Sequence, residues 1–223
     1  MIIKVAAAVI LAVLSVFSGL FVSAIMSGEK FQFKPKRFLI LSALNITVWV
    51  LCLFTHKKTP VTVLFLCLGF CVLLCVIWED INSKKISDIY LIALLITAIL
   101  FTLLDRFTPW YLHLLGCAVG YLPLFLIRAV GESVKKQEVL GIGDVYLSGI
   151  LGLMLGLYNF LLCGMIACVS ALCGIRILRR KKQFDKMHTY PFSPFLFIGY
   201  TLTILFGDLL TAKYTAIIAE LFC

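Results

Sequence analysis

Gly141-Ile142-Gly143-Asp144-Val145-Tyr146-Leu147-Ser148-Gly149-Ile150-Leu151-Gly152-Leu153-Met154-Leu155-Gly156-Leu157 sets one carboxylate between a glycine pair and a long apolar run. A charge at the head of such a run needs a reason, because burying it in an apolar medium is expensive. The run reads as a helix that begins near Asp144. Residues four and eight further on, Ser148 and Gly152, then share the Asp144 face. Gly149, Gly152 and Gly156 add small residues there, which lets another helix backbone come close. Asp144 is therefore expected to face a bundle interior. Gly141 and Gly143 permit backbone angles closed to other residues. The plain alternative is an Asp that caps the helix start.

The rest of the chain explains what kind of bundle this is. The 223 residues are 62% hydrophobic and 14% charged, with a mean hydropathy of +1.09, whereas soluble domains carry about 25% charged residues. Eight apolar runs follow one another, at 2–26, 38–54, 61–78, 89–104, 111–128, 145–157, 160–178 and 194–210. A spanning helix wants about 20 apolar residues. The fold class is all-α, a polytopic membrane helix bundle of about eight transmembrane helices. The first run, uninterrupted from Val5 to Met26 after a single Lys4, exceeds a signal-peptide core, so it reads as a retained helix despite the Val22-Ser23-Ala24 motif. The break between runs six and seven is expected at Tyr158-Asn159.

The net charge of +9 would suggest nucleic acid in a soluble protein. Here the bases cluster in short loops, so no nucleic-acid partner is read and the lipid bilayer is the expected one. Fifteen of the 20 Lys and Arg fall on the side of the loops after runs one, three, five and seven, and five on the other. By the positive-inside rule, the side carrying Asp80 and Asp144 is cytoplasmic. Of the nine cysteines, all but Cys223 lie in apolar runs and none forms Cys-x-x-Cys, so they read as packing residues and no zinc site is expected. His56, His113 and His188 are scattered without a His-Glu-x-x-His pattern, and no metal or other cofactor is expected.

Eleven acids are few enough to weigh singly. Asp80 closes the third run after Val76-Ile77-Trp78-Glu79, at the same membrane face as Asp144. Two carboxylates at one depth share a proton more readily than both ionise, so one can hold a proton while the other activates water. Alternatively, Asp80 is an ordinary interfacial charge flanking a helix. The helix dipole favours a proton on Asp80, at a helix C-terminus, and charge on Asp144, at an N-terminus.

Three blocks in this order resemble the type IV prepilin peptidases, the Gly-x-Gly-Asp membrane aspartyl proteases. Asp80-Ile81-Asn82-Ser83-Lys84-Lys85-Ile86-Ser87-Asp88 looks like that family's first catalytic block. Gly141 to Leu147 and the glycine-rich helix after it look like the second. Pro191-Phe192-Ser193-Pro194-Phe195-Leu196 looks like its Pro-Phe-Gly-Pro-Phe-Leu block. The resemblance implies catalytic Asp80 and Asp144, with motif support from Gly141, Gly143, Pro191 and Pro194. It implies removal of a basic leader from prepilins or pseudopilins after a glycine, at the cytoplasmic face of a bacterial inner membrane. Residues 1–60 would be N-terminal helices and 61–223 the catalytic core. Longer family members carry a four-cysteine zinc element between their first two helices and methylate the new N-terminus. Here the corresponding loop, 27–37, holds no Cys, and the reading leans against methylation. Ser87 replaces a usual Pro, and Tyr146 a common Lys.

A basic leader meeting a basic rim needs acids. Glu79, Asp88, Glu132 and Glu138 are the candidates to receive it; the alternative is that they pair with neighbouring lysines. The presenilin-like proteases share Gly-x-Gly-Asp, but their Tyr-Asp and Pro-Ala-Leu blocks are missing. The rival from another class is a transporter or non-catalytic scaffold. Transporters place ionisable groups near the bilayer midplane between repeats, and the sequence has no evident repeat.

Overall fold

The computed structural model describes residues 47–48, 50–51, 60–83, 86–136, 140–180 and 192–222. The first two apolar runs lie almost wholly outside these, as does the 27–37 loop. The described part contains six helices and no strand: α1 (Pro60–Ser83), α2 (Asp88–Leu104), α3 (Trp110–Lys135), α4 (Ile142–Leu155), α5 (Leu157–Arg180) and α6 (Ser193–Phe222). Three stretches within them are long and apolar enough to cross a membrane, Val61–Ile81, Trp110–Val134 and Leu157–Ile177. The described part is thus all-helical, with helices apolar enough for a membrane protein.

The six runs from 61 onward each correspond to one helix, which extends beyond its run into polar residues. Helix α1 carries on past Trp78 to include Asp80. Helix α3 runs through to Lys135.

Helix α4 sits at the centre. It packs against α2, α3, α5 and α6, and eleven of its fourteen residues, Asp144 among them, are buried. At 1.5 Å per residue it is about 21 Å long, short of a ~30 Å hydrocarbon core. A helix this short is inserted by being surrounded, not by matching the bilayer.

Small residues make the tight packing possible. Gly152 of α4 and Gly116 of α3 face each other, and a Cβ on either would overlap the other's carbonyl oxygen. Gly120 of α3 lies equally close to the Ser148 carbonyl. Ser148 in turn donates its hydroxyl to the Gly120 carbonyl at 2.9 Å, so the close approach leaves that polar group satisfied. The apolar core, which includes Phe70, Leu73, Leu94, Leu147, Leu151 and Leu196, joins α1, α2, α4 and α6.

The turn after α4 comes earlier than the polar pair Tyr158-Asn159. Gly156 ends the helix with φ of 74°, a region open to glycine, and α5 begins at Leu157. Tyr158 and Asn159 belong to the first turn of α5. The Asn159 side chain points inward towards Gly207 of α6, so its polarity marks a helix contact and not a loop.

Candidate active site

Three chain segments meet at one end of α4. Asp80 arrives on the last turns of α1, Asp144 on the first turn of α4, and Ser193 as the first residue of α6. All three are buried, at 5%, 8% and 0% exposure.

Asp144 is not a cap. The N-cap position belongs to Gly141, in extended conformation, and no side chain caps this helix end. Asp144 lies within the first turn, its backbone N–H donating to the Gly141 carbonyl at 3.2 Å. Its Oδ1 is buried and has no hydrogen-bond partner among the described residues. Burial of an acceptor without a donor is uncommon in folded proteins and asks for an explanation. One neighbour is another acid: the Asp80 charge acts directly on Asp144.

The glycines before it have distinct surroundings. Gly143 lies against Ile86, whose side chain would be 3.1 Å from a Cβ there. Gly141 is exposed, and a Cβ there would sit 3.6 Å from Asp144 Oδ2. Ile86 belongs to the segment joining α1 to α2, so the Asp80 and Asp144 blocks touch through it.

Asp80 has what Asp144 lacks. The Ser193 hydroxyl donates to its Oδ2, and the Ser193 backbone N–H also bonds to this carboxylate. Asp80 therefore sits in the last turn of its own helix but faces the start of another, whose partial positive charge favours an anion. This opposes the proton order expected from the dipoles of α1 and α4 alone. The resemblance implies motif support from the prolines of the 191–196 block, whereas Ser193, in the place of that block's glycine, makes the contact. That replacement was the available signal. Pro194 lies in the first turn of α6, where a missing N–H does no harm. Pro191 lies outside the described residues.

The four acids expected near the site separate. Glu79 is half-buried, and its Oε2 accepts the Ser87 backbone N–H at 2.8 Å, tying the start of α2 back to α1. Glu132 pairs with Arg128 one turn earlier on α3, at 2.8 Å. Glu138 lies outside the described residues. Asp88 is exposed at the first turn of α2. It lies on the wall of an open groove of about 470 Å³ between α2, α3 and α4, otherwise lined by Leu91, Ile92, Leu95, Tyr121, Tyr146 and their neighbours. Tyr146, two residues after Asp144, stacks on Tyr121 with centroids 6.1 Å apart.

Residues 67–175, which contain both aspartates and the groove, match the type IV leader peptidase family. Over this stretch the chain is similar to that family. Among its relatives, the prepilin leader peptidase/N-methyltransferase of Dickeya chrysanthemi is 30% identical over 146 residues, covering 64% of this chain and 51% of the relative. The protein of that name from Aeromonas salmonicida (strain A449) is 28% identical over 151 residues, 66% of this chain and 50% of its own. The one from Pseudomonas putida is 35% identical over a shorter 95 residues, 42% and 32%. The chain spans about half the length of the first two. No solved structure matches it.

Proposed function

We propose that this chain is a member of the type IV leader peptidase family, an aspartyl endopeptidase that removes the basic leader of prepilins or pseudopilins after a glycine, using Asp80 and Asp144. The observation that carries the reading is the electrostatic contact of two buried aspartates at the head of the central helix. One carboxylate is ionised and the other protonated. The ionised one takes a proton from water as the water oxygen attacks the scissile carbonyl, and the protonated one hands its proton to the carbonyl oxygen. Collapse of the tetrahedral adduct expels the amine, which leaves with a proton from the pair. No metal or cofactor enters the step.

Residues 61–223 would form the catalytic core, and the two apolar runs before them lie almost wholly outside the described residues. The site faces the cytoplasm of a bacterial inner membrane, in keeping with fifteen of 20 bases on that side. Of the described acids Glu79, Asp88 and Glu132, Asp88 is the best placed to receive a basic leader. It is exposed beside the groove, whereas Glu79 and Glu132 are engaged by Ser87 and Arg128.

Co-expression with a prepilin tests the reading. Wild type removes the leader, and Asp80→Ala and Asp144→Ala both leave the precursor intact. Processing that survives either substitution in a correctly folded variant rejects the pair.

A further inference from the structure

We propose that Ser193 is a positioning residue that anchors Asp80 as the charged member of the pair and so leaves the transferable proton on Asp144. The inference rests on the peptidase reading above and adds an order to it.

The hydroxyl does not serve its own helix. A Ser at a helix start ordinarily uses its oxygen to accept from backbone N–H groups one turn on. At α6 the N–H groups of Phe195 and Leu196 are instead taken by the Phe192 carbonyl, at 3.0 and 3.3 Å, and Pro194 has none. The Ser193 hydroxyl turns across to Asp80 on α1. Its own N–H points to the same carboxylate.

Two donors on one carboxylate select its charged form, since a hydroxyl and an amide both donate to an anion more strongly than to a neutral acid. Asp144 receives no such help at Oδ1, which is buried without a donor. When one proton serves both acids, it therefore resides on Asp144. The chemistry then has a direction. Asp80 accepts the proton of the attacking water while Ser193 holds it in place, and Asp144 donates its proton to the carbonyl oxygen as the carbon–oxygen bond forms. The amine then leaves with the proton held by Asp80, and Asp144 recovers its own from the collapsing adduct. Atoms and charge balance over the cycle.

The resembling block has glycine at this position, which supplies the backbone N–H alone. Ser193 adds the second donor. Its role is thus a property of this chain, separable from the pair itself.

The test uses the full-length protein in lipid nanodiscs and a recombinant prepilin whose lysine-containing leader ends in glycine. Ser193→Ala and Ser193→Gly are expected to lower kcat roughly tenfold, the scale of one hydrogen bond to a charged group, with KM near the wild-type value. Ser193→Cys, similar in shape with a weaker donor, falls between. The pH profile of kcat for Ser193→Ala should differ in shape from that of wild type. A profile that superimposes on the wild-type one after scaling indicates only a smaller folded fraction and overturns the proposal, as does a wild-type kcat in Ser193→Ala. Should the alanine variant fail to fold, the cysteine variant is judged by the same two measurements. Asp80→Ala and Asp144→Ala run in parallel. If either cleaves, the peptidase reading falls; if both are dead and Ser193→Ala is unchanged, only the role of Ser193 falls.

Discussion

The two ends of α4 each bury an aspartate from elsewhere or from itself, and they treat it in opposite ways. At the far end, Asp105 follows the last turn of α2. Its Oδ1 accepts the Phe107 backbone N–H at 3.0 Å, and its Oδ2 lies 3.7 Å from His113 Nε2, both side chains wholly buried. His113 Nδ1 is 2.8 Å from the Leu153 carbonyl of α4, to which it donates, and the Thr102 hydroxyl reaches the same carbonyl at 3.3 Å. Leu153 stands nine residues after Asp144, about 13 Å along the helix. There an acid faces an imidazole, and Asp105 Oδ1, His113 Nδ1 and the Thr102 hydroxyl each bond to backbone. At the near end an acid is set against an acid, and Asp144 Oδ1 is left open. Burial alone does not mark a functional carboxylate. What sets Asp144 apart is burial beside like charge with an unfilled acceptor, the combination on which the proposed role rests.

The largest expected effect would separate these ends most sharply. Asp144→Asn should remove cleavage by roughly 10²–10⁴-fold, the usual range for a lost acid or base, with little change in the unfolding midpoint. Asp105→Asn should keep kcat per folded molecule. Leader removal scored against the folded fraction reads both. An Asp105→Asn protein that folds and cannot cleave would break the comparison.

His113→Ala should instead unfold more easily, by about 1–3 kcal/mol, because it removes a buried side chain and the donor to the Leu153 carbonyl. Unfolding in graded sodium dodecyl sulfate measures this. Replacing both residues by leucine should recover part of the loss, which is how a structural pair behaves. Activity per folded molecule stays unchanged in each case.

Gly152→Ala is expected to cost about 1–3 kcal/mol, the range for overpacking a tight core. The added methyl meets the Gly116 carbonyl oxygen of α3, which is backbone and cannot swing aside. Gly164, whose Cβ would meet nothing within 4 Å, is the control: Gly164→Ala should be neutral or slightly stabilising in a helix.

Much of this was legible in the residues, and the parts that were not have physical causes. Runs of apolar residues gave the six described helices, since hydropathy has no alternative use in a chain this apolar. The small face of α4 gave the inward Asp144, because Ser148, Gly149 and Gly152 follow it at helical spacing. Two things needed coordinates. The hydrogen bond that Asp80 accepts comes from α6, a helix more than a hundred residues later, whose N-terminus runs against the local dipole argument. The surroundings of Asp105 include His113, which carries no sequence signal because its neighbours, a carbonyl and an acid, form no pattern. Asn159 misled for a related reason, since polarity in an apolar chain signals either a loop or a buried contact.

The smallest expected effects lie at the rim, where the same contrast between engaged and open acids recurs in weaker form. Glu132 is held by Arg128 in an i,i+4 pair that is partly exposed, so Glu132→Gln should change stability by no more than about 0.5 kcal/mol. Its effect on cleavage should be equal for a basic leader and for one whose lysines are replaced by glutamine, because it is already neutralised. Asp88→Asn should differ. Asp88 is exposed beside the groove that Tyr146 and Ile150 line, so its charge is available to an incoming cation. KM for the basic leader should rise several-fold, the scale of one exposed charge pair, and KM for the neutralised leader should stay put. Raising the ionic strength should shrink the difference, since an exposed pair is screened within about 8–10 Å near 0.1 M salt. If the two leaders respond alike to Asp88→Asn at low salt, Asp88 is a bystander like Glu132, and the open acid at the rim does not behave like the open acid at the centre.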